Sequence, residues 1–270
     1  MKFTVYGASG FIGASLISYL KSKGHKVDAV SRQNLNERRN DLGHCIYAIG
    51  LTSDFRTRPF DTIEAHVSLL NQILRDAKFQ SLLYLSSTRV YAKSGRGDED
   101  ACLPVSSADP SDLYNISKLA GEAICLSSGL AAVRVARLSN VIGLHELDAD
   151  TFVGDLCREA IRGHIQLRTD LASSKDYVWI EDVVEVLTRI AVEGQHSIYN
   201  VASGVNLPHQ SWVDAISAIS GCTVAVNEEA PQVTFPLISV KRIASEFGIK
   251  PSSVLNHLPA ILNRQVNTDN

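Results

Sequence analysis

The stretch Val5-Tyr6-Gly7-Ala8-Ser9-Gly10-Phe11-Ile12-Gly13 constrains this chain more than any other. It spaces three glycines as G-x-x-G-x-x-G. The β-rich run Lys2–Tyr6 precedes it, and in 11–23 the apolar Ile12, Leu16, Ile17 and Leu20 recur at helical spacing until Gly24 stops the helix. Strand, glycine turn and helix in that order predict a βα unit whose turn holds a pyrophosphate. The first glycine permits the tight turn, the second lets backbone amides approach the phosphates, and the third lets the helix pack closely on the strand. The helix N-terminus adds partial positive charge. Gly7, Ser9, Gly10, Phe11, Ile12 and Gly13 are therefore the expected cofactor contacts.

The rest of the chain repeats the alternation. Strands are predicted at 26–31, 45–49, 81–86, 131–138, 176–180 and 197–201. Helices are predicted at 62–77, 111–128, 151–163, 182–193, 211–220 and 240–247. In the helix 62–77, Ile63, Val67, Leu70, Ile73 and Leu74 should face inward. This order predicts an α/β fold with a Rossmann-type, doubly wound parallel sheet. Only thirteen polar residues, 32–44, separate the second strand from the next apolar run. A crossover helix and a further strand do not fit there, so one strand common in such sheets is expected to be missing.

Composition narrows the function. A net charge of −3 over 270 residues gives no electrostatic reason to expect a nucleic acid or an anionic membrane as partner. No apolar run approaches the roughly 20 residues needed to span a bilayer, and the chain opens directly on a core strand without a signal peptide. Five scattered cysteines without a C-x-x-C pair fit reduced thiols and a cytoplasmic setting, and argue against a metal site.

The second strand carries a cofactor signal. NAD sites usually place a carboxylate at its end to bind the ribose 2′-hydroxyl; here Ser31 stands there and Arg32 follows. A hydroxyl beside a guanidinium suits a 2′-phosphate, so NADP(H) is favoured, with NAD(H) the alternative. Asp28 lies in mid-strand and should point elsewhere.

The chemistry sits further on. Leu83 to Tyr91 reads L-Y-L-S-S-T-R-V-Y, a buried strand ending in hydroxyls, where open α/β sheets bind ligands. Tyr114 and Lys118 are i and i+4 on one helix face. An ammonium near the phenol would lower its pKa and make Tyr114 a usable acid/base near neutral pH. A serine hydroxyl opposite could hold a carbonyl or alcohol oxygen.

Together these stretches resemble the extended short-chain dehydrogenase/reductases, the NAD-dependent epimerase/dehydratase group. "GASGFIG" is similar to the family's cofactor loop, "YLSSTRVYA" to its serine strand and "YNISK" to its Y-x-x-x-K. "RLSNVIG" (137–143), "KDYVWIEDVVEVL" (175–187) and "YNVASG" (199–204) are similar to three further segments. The resemblance implies Ser87 as the catalytic hydroxyl and Tyr114 as acid/base. It implies that Lys118 holds the nicotinamide ribose and tunes Tyr114. It places Asn140 at the substrate pyrophosphate, with Ser87, Thr88, Arg89 and His145 near the substrate. It divides the chain into a dinucleotide-binding part (1–142 and 176–203) and a smaller substrate lobe (143–175 and 204–270), and implies a homodimer built on helices 62–77 and 111–128. Arg56, Cys102 and Arg168 are further polar residues near the expected cleft, Cys102 reading as a loop cysteine. The chain departs from the family in the short 32–44 stretch, which lacks the carboxylate that touches adenine. It departs also at His66, where relatives usually carry asparagine, and at Ile49-Gly50, which replaces the usual Ala-Ala.

The reaction class follows from two residues. The family's sugar 4,6-dehydratases carry Asp-Glu after the catalytic hydroxyl, whereas Thr88-Arg89 stands here, and an arginine cannot be a base. That leaves reduction of a keto group by NADPH, typically the 4-keto of a nucleotide-linked deoxysugar, or epimerisation through a tightly held NAD. Ser31-Arg32 favours the reductase. A dinucleotide-binding regulator without catalysis is the alternative of another class.

Overall fold

The computed structural model describes residues 1–37, 39–51 and 54–264. Its first half runs β1 (Lys2–Tyr6), α1 (Phe11–Ser22), β2 (Lys26–Val30), β3 (His44–Tyr47), α2 (Pro59–Ile63), a π-helical turn (Glu64–Ser68), α3 (Leu69–Asp76), β4 (Ser81–Ser87), α4 (Leu113–Ser127) and β5 (Val133–Leu138). There follow β6 (Asn140–Ile142), α5 (Phe152–Ile161), β7 (His164–Leu167), β8 (Ser174–Trp179), α6 (Ile180–Glu193) and β9 (Ile198–Val201). The chain closes with β10 (Asn206–Pro208), α7 (His209–Ser220), β11 (Thr223–Val226), α8 (Lys241–Phe247) and α9 (Leu258–Asn263).

Six parallel strands form the main sheet in the order β2-β1-β3-β4-β5-β9. Side chains alternate across it: Phe3, Val5, Leu83 and Leu85 enter the core under α1 and α6, while Tyr6, Tyr47, Leu82 and Tyr84 enter the core under α3 and α4. Burial on both faces explains why these strands read as nearly unbroken apolar runs. The order reverses at β1, with β2 on one side and β3 on the other, so a crevice opens between the ends of β1 and β3. Among the described residues β2 is the edge; turns and irregular backbone occupy the short link to β3. Among the described residues no strand lies between β2 and β3, in keeping with the thirteen-residue link.

Two differences from the sequence reading are instructive. The helix expected at 62–77 begins at Pro59 and contains the π-helical turn, which inserts one residue into the repeat. The buried face runs through Thr62, Ala65, His66, Leu70 and Ile73, while Ile63 is exposed and Val67 half-buried. The short strands β6, β7, β10 and β11 went unread. At three or four residues each they are too short to show a period. They build the β10-β8-β6 and β11-β7 sheets beside the main one.

A buried polar network ties the sheet together. Arg137 on β5 pairs with Glu122 on α4 at 2.6 Å and donates to the Tyr91 hydroxyl at 2.7 Å. Tyr91 donates to Asn200 on β9 at 2.8 Å, and the Asn200 amide reaches the carbonyls of Gly97 and Ser239, each at 3.0 Å. Ser86, at the end of β4, donates to the same Glu122. The arginine of "RLSNVIG" and the asparagine of "YNVASG" are thus structural ties, paired as buried polar groups must be.

Candidate active site

The glycine turn fits a dinucleotide by its own geometry. Gly7 has φ +86°, and the amides of Gly7 and Ala8 both donate to Val30 O at 3.0 Å, which folds the turn back on β2. A Cβ on Gly13 would lie 2.1 Å from Gly7 O, so α1 can pack this close only through glycine. Gly10 differs. A Cβ there would meet only Gly7 O, at 3.4 Å, so the protein's own packing does not demand a glycine. Gly10 is the exposed N-cap of α1, whose first amides have no side-chain cap and no acidic neighbour in the first turn. The turn leaves an open, electropositive cradle suited to a pyrophosphate.

At the end of β2, Ser31 N donates to Asn34 Oδ1 at 2.8 Å and Asn34 Nδ2 donates to Ala29 O at 3.0 Å, a tight side-chain-stapled turn. Arg32 projects from it, exposed. Asp28 points away and pairs with Arg39 at 2.9 Å.

Ser87, Tyr114 and Lys118 come together beside the crevice. β4 delivers Ser87 at its C-terminal edge, where its hydroxyl accepts the Arg89 amide at 3.2 Å and caps the turn that follows. Tyr114 sits on the first turn of α4, and the start of that helix is held firmly. Asp109 and Asp112 each accept from Lys93 at 2.7 Å, and Asp109 also accepts the Ser111 amide at 2.9 Å. Tyr114 is 5% exposed. Burial raises its pKa, opposed by a hydrogen-bonding interaction with the Ser87 hydroxyl and by the charge of Arg89. Lys118 is also buried and donates to Leu85 O at 2.9 Å, its ammonium 6.0 Å from the Tyr114 ring centre. Burial pulls it down to about 7, with Glu122 opposing. Desolvation is the largest cause of both shifts, and the Arg89 charge acts against it at Tyr114.

His66 is the site residue whose role the sequence did not reveal. It is fully buried at the centre of the π-helical turn, and its ring meets Tyr114 edge-on at 5.4 Å. Nε2 accepts the Leu51 amide at 3.2 Å, so the ring proton belongs on Nδ1. Nδ1 lies 2.7 Å from Ser117 Oγ, which itself donates to Tyr114 O at 2.9 Å. Burial first, and the Lys118 charge second, lower the His66 pKa to about 3, so a neutral imidazole braces the tyrosine-bearing turn. Its position was visible in the sequence as a departure from asparagine; its contacts depend on the π-turn.

The remaining candidates divide. Thr88 is buried in the turn after Ser87, and Arg89 lies over Tyr114, its guanidinium carbon 5.6 Å from the ring centre. Asn140 donates to Asp176 O at 2.8 Å across β6 and β8. His145 stacks on Phe11 at 3.5 Å and lines a cavity of about 620 Å³ with Ser9, Gly10 and Arg264. The structure thus groups His145 with the glycine turn instead of with Ser87 and Tyr114. Lys175, half-buried on β8, was missed although its segment had been recognised; burial and the Arg89 charge lower its pKa. Cys102 is an exposed thiol, and among the described residues no three His, Cys, Asp or Glu side chains converge as a metal site. No described helix is long and apolar enough to cross a membrane.

A nucleotide cradle at the reversal point of a parallel sheet, with a serine and a Tyr–Lys helix at its rim, is the arrangement of a short-chain dehydrogenase/reductase. The chain belongs to the NAD dependent epimerase/dehydratase family, whose model matches residues 3–57 and 44–202. It is 28% identical over 246 residues to GDP-6-deoxy-D-mannose reductase of Pseudomonas aeruginosa, covering 80% of this chain and 79% of that one. The structure of RMD from Pseudomonas aeruginosa complexed with NADPH is similar at a TM-score of 0.76 and 23% identity, covering 97% and 98% of the two chains. TunA, an NAD-dependent NDP-hexosamine 5,6-dehydratase of tunicamycin biosynthesis, is similar at 0.80 and 19%, covering 100% and 99%.

Proposed function

We propose that this protein is an NADPH-dependent reductase of the keto group of a nucleotide-linked sugar, the 4-keto deoxysugars being the first candidates. With its pyrophosphate on the glycine cradle, NADPH would supply the hydride from its nicotinamide. Ser87 holds the substrate oxygen, and Tyr114 gives it a proton as the alcohol forms. The observation that carries this reading is the grouping of Ser87 at the end of β4 with the buried Tyr114 and Lys118 on one face of α4, beside the glycine cradle. A protonated phenol is the form reduction requires. The curated relative, a sugar-nucleotide reductase, supports the same direction. Ser31 and the exposed Arg32, with no carboxylate at the end of β2, support NADPH. Thr88-Arg89 beside Ser87 offers no carboxylate for eliminating water. We also propose that the chain forms a homodimer through α2, α3 and α4.

The test is NADPH oxidation against a panel of nucleotide 4-ketosugars, with product stereochemistry read by NMR. Stoichiometric oxidation, reduced by a factor on the order of 100 or more in Tyr114→Phe, is the expected result. Interconversion of two nucleotide-sugar epimers with only catalytic NAD would establish the epimerase instead. Cofactor binding without turnover, unaltered in Tyr114→Phe, would leave a dinucleotide-binding regulator.

A further inference from the structure

Positive charge gathers beside the Tyr114 ring. Phe55 packs on the Tyr114 ring at 5.5 Å, and two guanidinium groups lie over Phe55: Arg56 at 4.5 Å and Arg89 at 5.2 Å. Both reach Ser111, three residues before Tyr114, Arg56 through the hydroxyl at 3.1 Å and Arg89 through the carbonyl at 3.4 Å. Lys175 acts on Arg89 from β8. The nearby carboxylates are otherwise engaged. Asp109 and Asp112 are held by Lys93, Asp61 by Arg58, and Asp176 by the amides of Ser203, Gly204 and Val205. Among the described residues, Arg56, Arg89 and Lys175 have no ion-pair partner.

Three unpaired cations at one rim are costly. Arg89 and Lys175 are each half-buried, and Arg56 and Arg89 repel one another. A neutral hydroxyl relieves neither penalty, whereas an oxyanion between the guanidinium groups relieves both and takes charge-assisted hydrogen bonds. The cofactor's pyrophosphate belongs at the N-terminus of α1, on other residues. We infer that Arg89, flanked by Arg56 and Lys175, is the receptor for a carboxylate on the substrate next to the carbon that reacts, so that the sugar is a hexuronate. Resting on the reductase reading, this narrows the substituent beside the 4-keto group from methyl to carboxylate. Geometry separates the two oxyanions such a substrate offers. In a hexopyranose the carboxylate sits on C5, adjacent to C4, whereas the diphosphate leaves from C1 across the ring. A group touching Arg89 while C4 faces Tyr114 is therefore the carboxylate.

The experiment is isothermal titration of the NADPH-loaded protein with matched pairs, UDP-glucuronate against UDP-glucose and GDP-mannuronate against GDP-mannose. Within at least one pair the uronate should bind tighter, on the order of tenfold. Arg89→Gln should abolish that preference, and Arg89→Lys should keep part of it. Equal binding within both pairs overturns the inference, as does an Arg89→Gln variant that weakens hexose and uronate alike, since Arg89 would then serve the diphosphate. Binding is read without turnover, so the two readings can fail separately. A uronate preference without NADPH oxidation sinks the reductase alone. Oxidation driven only by neutral 4-ketosugars, with no preference in binding, sinks the carboxylate receptor alone.

Discussion

A buried lysine costs stability in this protein. Lys118 is pulled down to about 7 from 10.5, so the unfolded chain binds the extra proton between those values. Stability from this residue therefore rises with pH across that window, and its cost is fully felt below about 7. Lys118→Met should raise the melting temperature of the cofactor-free protein at pH 7. The gain should shrink toward pH 10, while NADPH turnover is lost. Calorimetry over that range checks both halves. Gly10→Ala should show the opposite balance. Its Cβ would meet only one carbonyl, so stability should change by no more than about 0.5 kcal/mol. Dinucleotide affinity, read by fluorescence titration, should nevertheless fall on the order of tenfold or more, because the methyl enters the cradle. At this scale the sequence showed which residues meet. The spacing of Tyr114 and Lys118 and the glycine triplet were legible because local geometry is periodic. The direction of the Tyr114 shift was not, because burial depends on Phe55, His66 and Arg89, which arrive from distant segments.

The π-helical turn shows how one added residue redirects an element. His66 points inward from it, four residues after the buried Thr62, while Ile63 and Val67 fall off the buried face. Composition carries no mark of such an insertion, which is why the helix was legible and its face was not. The neutral imidazole it buries makes a prediction. The His66 pKa falls from 6.5 to about 3 on folding, so the unfolded state binds the additional proton between those values. Stability should fall as pH drops through that window, by up to a few kcal/mol at its lower end, at about 1.4 kcal/mol per unit. Urea denaturation from pH 7 to pH 4 should show the decline, and His66→Asn should flatten it. An equally steep decline in His66→Asn would move the acid sensitivity to other groups. The short 32–44 link behaves differently. Its length alone excluded a crossover, so the missing strand was readable before any contact was known.

Over the whole molecule, the parallel, doubly wound character of the main sheet followed from the alternation of runs. The two small sheets did not, since β10 and β11 acquire meaning only from partners on β8 and β7. Exposed apolar residues make a third scale testable. Phe60 on α2 is 88% exposed, and Ile63 and Leu126 stand exposed on α2 and α4. If these helices form the dimer, Phe60→Glu should lower the mass measured by light scattering from two chains to one. A single-chain mass for the unaltered protein would remove the dimer. The network around Arg137 reaches furthest. Its satisfaction draws on Tyr91, Glu122, Asn200 and, through Asn200, the carbonyls of Gly97 and Ser239. No contiguous half of the chain holds all of these, so a partly folded molecule leaves some of these buried polar groups without their hydrogen-bond partners. Intermediates that bury one end of the sheet before the other are thereby raised in energy. Through Tyr91 and Asn200 the network couples the folding of residues as far apart as 91 and 239.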